Sequence, residues 1–116
     1  MSKDLDKLRD AVRKFAAERD WDQFHSPKNL VMALSVEASE LLELFQWLTE
    51  EQSRNLAPEA RAAAADEIAD VLIYLIQLAD RLDVDPLEAA KRKMVANAKK
   101  YPPDPTRSLD QKQAGS

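Results

Sequence analysis

In the stretch NLVMALSVEASELLELFQWL, Asn29 to Leu48, the residues Leu30, Leu34, Leu41, Leu44 and Leu48 recur in steps of three, four and seven. That spacing sets them on one face of an amphipathic helix. Ser26 and Pro27 open it, a hydroxyl N-cap followed by proline at the first helical position. Glu37 stands in the middle of the apolar face, where a turn of 100° per residue calls for another leucine, and Glu40 stands at its edge one turn on. An unpaired carboxylate on such a face is costly to bury. No Lys or Arg occurs between Lys28 and Arg54, so the neutralising charge must come from outside the helix.

Around this helix the chain reads as all-helical. It has 116 residues, enough for one domain with a modest core, with one Gly, no Cys and few β-branched residues. Hydrophobic residues make up 45% and charged residues 33%, the composition of an ordinary folded domain. A net charge of −4 with dispersed Lys and Arg gives no footprint for a nucleic-acid polymer. The absence of cysteine excludes thiolate metal ligands and fits the cytoplasm, the compartment expected. Asp4 and Asp6 without a following apolar stretch argue against a signal peptide, and no apolar run is long enough to span a membrane.

The remaining helices follow from periodicity and caps. Leu5, Leu8, Val12 and Phe15 give a first helix over residues 4–19. Periodicity stops in DWDQFHSP, residues 20–27, which brings two aromatics and the single histidine. The helix of the opening stretch is expected to end near Leu48, with Thr49 and Gln52 as a capping box for a short turn. A third long helix starts near Pro58 and runs to about Leu82. Its apolar residues cover most of its circumference, Ile73 included, which predicts an oligomer interface. Asp85-Pro86-Leu87-Glu88 starts a fourth, to about Lys100. The domain is expected over residues 1–103, with residues 104–116 an extended or disordered tail.

Glu67 and Asp70 on the third helix repeat the i, i+3 spacing of Glu37 and Glu40, so each pair projects from one side of its helix. Antiparallel packing would bring four carboxylates together. Four hard oxygen donors without Cys or His suit Mg²⁺, or Mn²⁺, better than zinc. Any single helix-edge glutamate is more often solvated. The quartet is read differently because Glu37 lies on the core stripe and residues 62–80 contain no Lys or Arg. A di-iron carboxylate bundle needs Glu-x-x-His pairs, and the one histidine sits in a loop.

With Glu37-x-x-Glu40, 26 residues, then Glu67-x-x-Asp70, the chain resembles the all-α nucleoside triphosphate pyrophosphohydrolases of MazG-like type. FAAERDWDQFHSPKNL (15–30), ELFQW (43–47), DVLIYL (70–75) and KMVANAKKYP (93–102) resemble their dCTP-hydrolysing branch. The resemblance implies an oligomeric four-helix bundle, a homodimer or homotetramer built as a dimer of dimers. The implied reaction is Mg²⁺-dependent hydrolysis of dCTP, or a modified cytosine dNTP, to the monophosphate and pyrophosphate, a nucleotide-pool-cleaning role. Glu37, Glu40, Glu67 and Asp70 would hold the metal, and Glu37 or Glu40 would act on the attacking water. Trp21 and Trp47 would flank the base, with His25, Tyr74, Lys93, Asn97 and Tyr101 completing the nucleotide site. The residues alone leave other readings open: core packing for the tryptophans, packing at the bundle surface for Tyr74, a helix cap for His25, a solvated stripe for Lys93, Asn97 and Tyr101. Two alternatives stand beside the dCTP reading, a broader NTP pyrophosphatase and a catalytically silent helical bundle that binds a partner protein.

Overall fold

The computed structural model describes residues 2–104; the tail expected over 104–116 lies outside it apart from Asp104. Five α-helices follow in order: α1 Lys3–Glu18, α2 Pro27–Glu43, α3 Glu50–Arg54, α4 Pro58–Arg81 and α5 Pro86–Lys100. Among the described residues there is no strand, and no helix is long and apolar enough to cross a membrane. The chain divides into a unit ending at Pro86 and a second beginning at Leu87, which holds most of α5.

The helix starts obey the local signals. Ser26 Oγ accepts from the Asn29 amide at 3.2 Å with Pro27 at the first position of α2. Thr49 Oγ1 accepts from the Gln52 amide at 3.1 Å, and Gln52 Oε1 accepts from the Thr49 amide at 2.9 Å, the reciprocal pair expected for α3.

The helix ends hold a feature that periodicity could not supply. Both α1 and α4 stop on an aspartate in the left-handed region, Asp20 at φ 55° and Asp83 at φ 53°. At each end the next residue bonds back across the last turn, Trp21 N to Ala16 O at 3.0 Å and Val84 N to Ala79 O at 2.8 Å. These are Schellman caps. Glycine is the usual residue there, but aspartate tolerates this backbone, and the chain has a single glycine. The α1 cap turns Trp21 back onto its own helix, against Phe15.

The α2 helix ends at Glu43 rather than near Leu48, a correction to the sequence expectation. Beyond it the amides of Leu44, Phe45 and Leu48 bond three residues back, to Leu41, Leu42 and Phe45. These tighter turns satisfy the last carbonyls of the helix.

In the first unit α4 is the central element, with α2 packed along it and α1 also against it. α2 and α4 run antiparallel: His25 ahead of α2 meets Gln77, while Glu37 further along α2 meets Glu67 and Asp70. The described core is small. Ala16, Leu30, Ala64 and Ile76 are its buried apolar residues, with Leu30 only 1% exposed. Ile73, expected at an interface, is half-buried and lines a cavity within the unit. The exposed apolar residues of α4 are instead Ile68, Leu72 and Leu75, a strip on another face. The 100° step separates the two faces, because α2 and α1 already occupy the side on which Ile73 lies.

Candidate functional site

Glu37 projects from the apolar stripe of α2 toward α4, where the i, i+3 pair Glu67 and Asp70 faces it. One carboxylate oxygen from each of these three residues lies within 4.8 Å of the others. Glu40 is half-buried beside them, close enough to act electrostatically on both Glu37 and Glu67. The antiparallel approach of two helices bearing acids at the same spacing therefore brings the expected quartet to one place, with three members in closest register.

The cluster is an electrostatic liability as it stands. Oε2 of Glu37 and Oε2 of Glu67 are both buried without a hydrogen-bond partner. Among the described residues no Lys or Arg makes an ion pair with any of the four acids. Burial, then the hydrogen bond and charge of neighbouring Glu40, push the Glu37 carboxyl up to about 7 from 4.5; the Asp70 and Glu67 charges act in the same direction. Burial and the Glu40 and Asp70 charges also raise Glu67. Orphaned buried oxygens, an all-oxygen donor set and the lack of an internal cation together fit a hard divalent ion. Glu37, Glu67 and Asp70 are the residues able to hold it, with Glu40 at hand.

Beside the cluster lies a mostly apolar cavity of about 420 Å³. Asp70 belongs to both. Trp21, His25, Tyr74, Phe15 and Gln77 form much of the rest of its wall. Trp21 meets Phe15 edge-on at 5.6 Å between ring centroids and His25 edge-on at 6.3 Å. The Phe15 contact is the apolar clasp that accompanies a Schellman cap, here used as part of a cavity wall. The short 3₁₀ turn Asp22–Phe24 then carries the chain to His25, and Asn29 Nδ2 donates to Phe24 O at 2.9 Å to fix it over α2.

The sequence-derived site is thus divided. Glu37, Glu40, Glu67 and Asp70 come together, and Trp21, His25 and Tyr74 share a cavity that includes Asp70. Trp47 does not join them within one chain; it sits in the turns after α2 and is 87% exposed. Lys93 and Asn97 stand on α5 and Tyr101 just past its end, at four-residue steps, Asn97 half-buried and the other two exposed, in the second unit. Sequence reasoning overlooked Phe15 and Gln77. Phe15 reads as one more residue of the α1 stripe and gives no separate signal. Gln77 does give one, as the lone amide in the apolar run VLIYLIQLA, residues 71–79.

The MazG-like family model matches residues 32–114, which includes all four acids. Human dCTP pyrophosphatase 1 is 46% identical over 110 residues, covering 93% of this chain and 65% of its own length. Its bovine counterpart is 48% identical over 100 residues, covering 84% of this chain and 59% of its own. The chain therefore spans about three fifths of the length of these curated relatives. Among solved structures, a pyrophosphatase from Archaeoglobus fulgidus matches with a TM-score of 0.83 at 40% identity, over 89% of this chain and 96% of that one. With the matched segment spanning the paired acids of α2 and α4 that meet in the fold, the chain belongs to the MazG-like family.

Proposed function

We propose that this protein is a divalent-metal-dependent nucleoside triphosphate pyrophosphohydrolase that cleaves dCTP, or a modified cytosine dNTP, to the monophosphate and pyrophosphate. The observation that carries the reading is the convergence of three carboxylates, two with orphaned buried oxygens, at the edge of an aromatic cavity sharing Asp70. The human and bovine relatives are dCTP pyrophosphatases and the Archaeoglobus relative is a pyrophosphatase, which supports the same reading.

Glu37, Glu67 and Asp70, with Glu40 beside them, hold Mg²⁺ or Mn²⁺. When bound, such an ion neutralises phosphate oxygens and lowers the pKa of water. The chain's own contribution is placement. The aromatic cavity takes the base, with Trp21 as a stacking face and His25 and Tyr74 as polar contacts. Asp70, common to cavity and cluster, sets the distance between the base and the triphosphate. Glu37 or Glu40 orients the attacking water and accepts its proton. Lys93 and Asn97 of α5, with Tyr101 just beyond it, are the proposed phosphate and sugar contacts.

The assembly is a homo-oligomer, a dimer or a dimer of dimers. Apolar exposure supports this. Ile68, Leu72 and Leu75 on α4 and Val31, Met32 and Val36 on α2 are uncovered in the single chain, and Trp47 projects fully. Such surface is costly for a domain whose described core is so small. A second copy covers it and returns Trp47 to a nucleotide site. Light scattering at micromolar concentration is expected to give at least a dimer; an active monomer rejects this part.

The test of activity is a nucleotide screen with product identification. Mg²⁺-dependent release of pyrophosphate is expected, fastest from cytosine deoxynucleotides. Equal rates on dCTP, dUTP and dATP would instead favour a broader NTP pyrophosphatase, and no turnover of any nucleotide would favour a partner-binding bundle.

A further inference from the structure

One polar contact in the cavity wall serves neither the carboxylate cluster nor a helix cap. Gln77 Nε2 lies 3.4 Å from His25 Nδ1, long for a hydrogen bond but partly shielded from water. An amide nitrogen only donates, so Nδ1 accepts, and the neutral ring then carries its proton on Nε2. The Gln77 contact occupies Nδ1 and leaves that Nε2–H as the ring's free hydrogen-bonding atom.

The segment bearing His25 is also held against rotation. One turn beyond Gln77 on α4, Arg81 Nη2 donates to Asp22 Oδ1 at 2.9 Å. Both partners are well exposed, so this pair contributes more to orientation than to stability. Asn29 Nδ2 holds Phe24 O from the α2 side. With the backbone fixed on both sides, the free variables at His25 are the ring's rotation and its tautomer. Gln77 is the contact that addresses both. A residue serving only to fill space between α4 and the loop would not need an amide, since the rest of its run is apolar except for Tyr74.

We propose that Gln77 is a positioning residue that fixes His25 as an Nε2–H donor and so makes the cavity prefer cytosine over uracil. This rests on the reading of the cavity as the base pocket. The chemistry of the two bases supplies the discrimination. N3 of cytosine is a bare acceptor, whereas N3 of uracil carries a hydrogen. A fixed donor pairs with the first and meets another donor in the second, leaving two buried N–H groups unsatisfied. If the ring could choose its tautomer freely, it would accept from uracil as readily as it donates to cytosine. The amide of Gln77 removes that choice.

His25 is the only histidine in the chain, so its ring nitrogens are observable without assignment ambiguity. The experiment uses full-length protein labelled with ¹⁵N-histidine, at about pH 8.5, where an ordinary imidazole is neutral. The wild-type protein is expected to show a pyrrole-like Nε2 and a pyridine-like Nδ1. Gln77→Glu places a carboxylate acceptor at Nδ1 and should exchange the two signals, because the proton moves to the nitrogen facing the carboxylate. Gln77→Met keeps the volume and removes the bond. It should raise KM for dCTP about two- to tenfold with little change in kcat, as loss of one neutral hydrogen bond implies. In Gln77→Glu the ratio of kcat/KM for dCTP over dUTP should fall about tenfold or more. The added negative charge burdens both triphosphates alike and cancels in that ratio. A wild-type ring protonated on Nδ1, or signals that do not exchange in Gln77→Glu, overturns the proposal. So does a dCTP/dUTP ratio that stays constant while the signals exchange and His25→Ala raises KM. A His25→Ala protein with unaltered KM overturns the base-pocket reading itself, separately from the spectroscopic result.

Discussion

Glu37→Gln is expected to abolish most activity, by two orders of magnitude or more, while making the metal-free protein melt higher than the wild type near neutral pH. The two effects have one origin. Glutamine keeps the shape and much of the hydrogen bonding of glutamate but removes a charge that is buried beside Glu40, Glu67 and Asp70. The sign follows from linkage. The Glu37 carboxyl titrates near 7 in the folded protein and near 4.5 when unfolded, so between these values the folded state holds more protons. Folding stability therefore falls as pH rises through that window, and is fully restored only below it. Without divalent ions the wild-type melting temperature should decline from about pH 5 to about pH 7, and the variant should lose much of that slope. Adding Mg²⁺ reverses the ranking. An ion bound only by the folded state stabilises by mass action, so the wild type should gain much more than the variant. Calorimetry with and without Mg²⁺ reads both effects. Equal shifts in the two proteins, or a variant that melts lower than wild type in the absence of metal, would show that the cluster is an ordinary surface group of acids.

Trp21→Ala should raise KM for dCTP by about five- to 150-fold, the loss corresponding to about 1–3 kcal/mol of stacking on a base. The fold should survive. Trp21 is 43% exposed and follows the end of α1, so its contacts with Phe15 and His25 are edge contacts rather than core packing. A core tryptophan would behave otherwise, costing about 3–5 kcal/mol of stability when truncated. Steady-state kinetics and a melting curve on the same sample separate the cases. A large fall in melting temperature with a normal KM would reject Trp21 as a base contact. Trp47 serves as the comparison. Being almost fully exposed in the single chain, it should matter for KM only in the assembled oligomer, and its loss should leave the stability of the subunit nearly intact.

Local rules made much of this protein legible from its sequence. The proline and hydroxyl caps of α2, the capping box of α3 and the periodicity of α1 and α4 depend on neighbours within four residues, and they appear where the sequence places them. The cluster was legible for a related reason. A glutamate on a leucine stripe contradicts its own helix, and a second helix with the same i, i+3 acids offers the resolution. What the sequence could not contain was the relation between elements distant along the chain. Whether Asp70 also faces an aromatic cavity depends on the angle at which α2 and α1 lie on α4. That Ile73 lines the cavity while Ile68, Leu72 and Leu75 are left uncovered is decided by which faces those helices occupy. The left-handed caps on Asp20 and Asp83 replace the glycine signal on which a reader of sequence relies, so the return of Trp21 onto Phe15 was invisible. Composition and spacing set two acid pairs at the same i, i+3 step on helices that carry no nearby cation. Packing alone decided that Asp70 also lines the aromatic cavity, because a side chain's neighbours distant along the chain are set by the burial of whole helix faces.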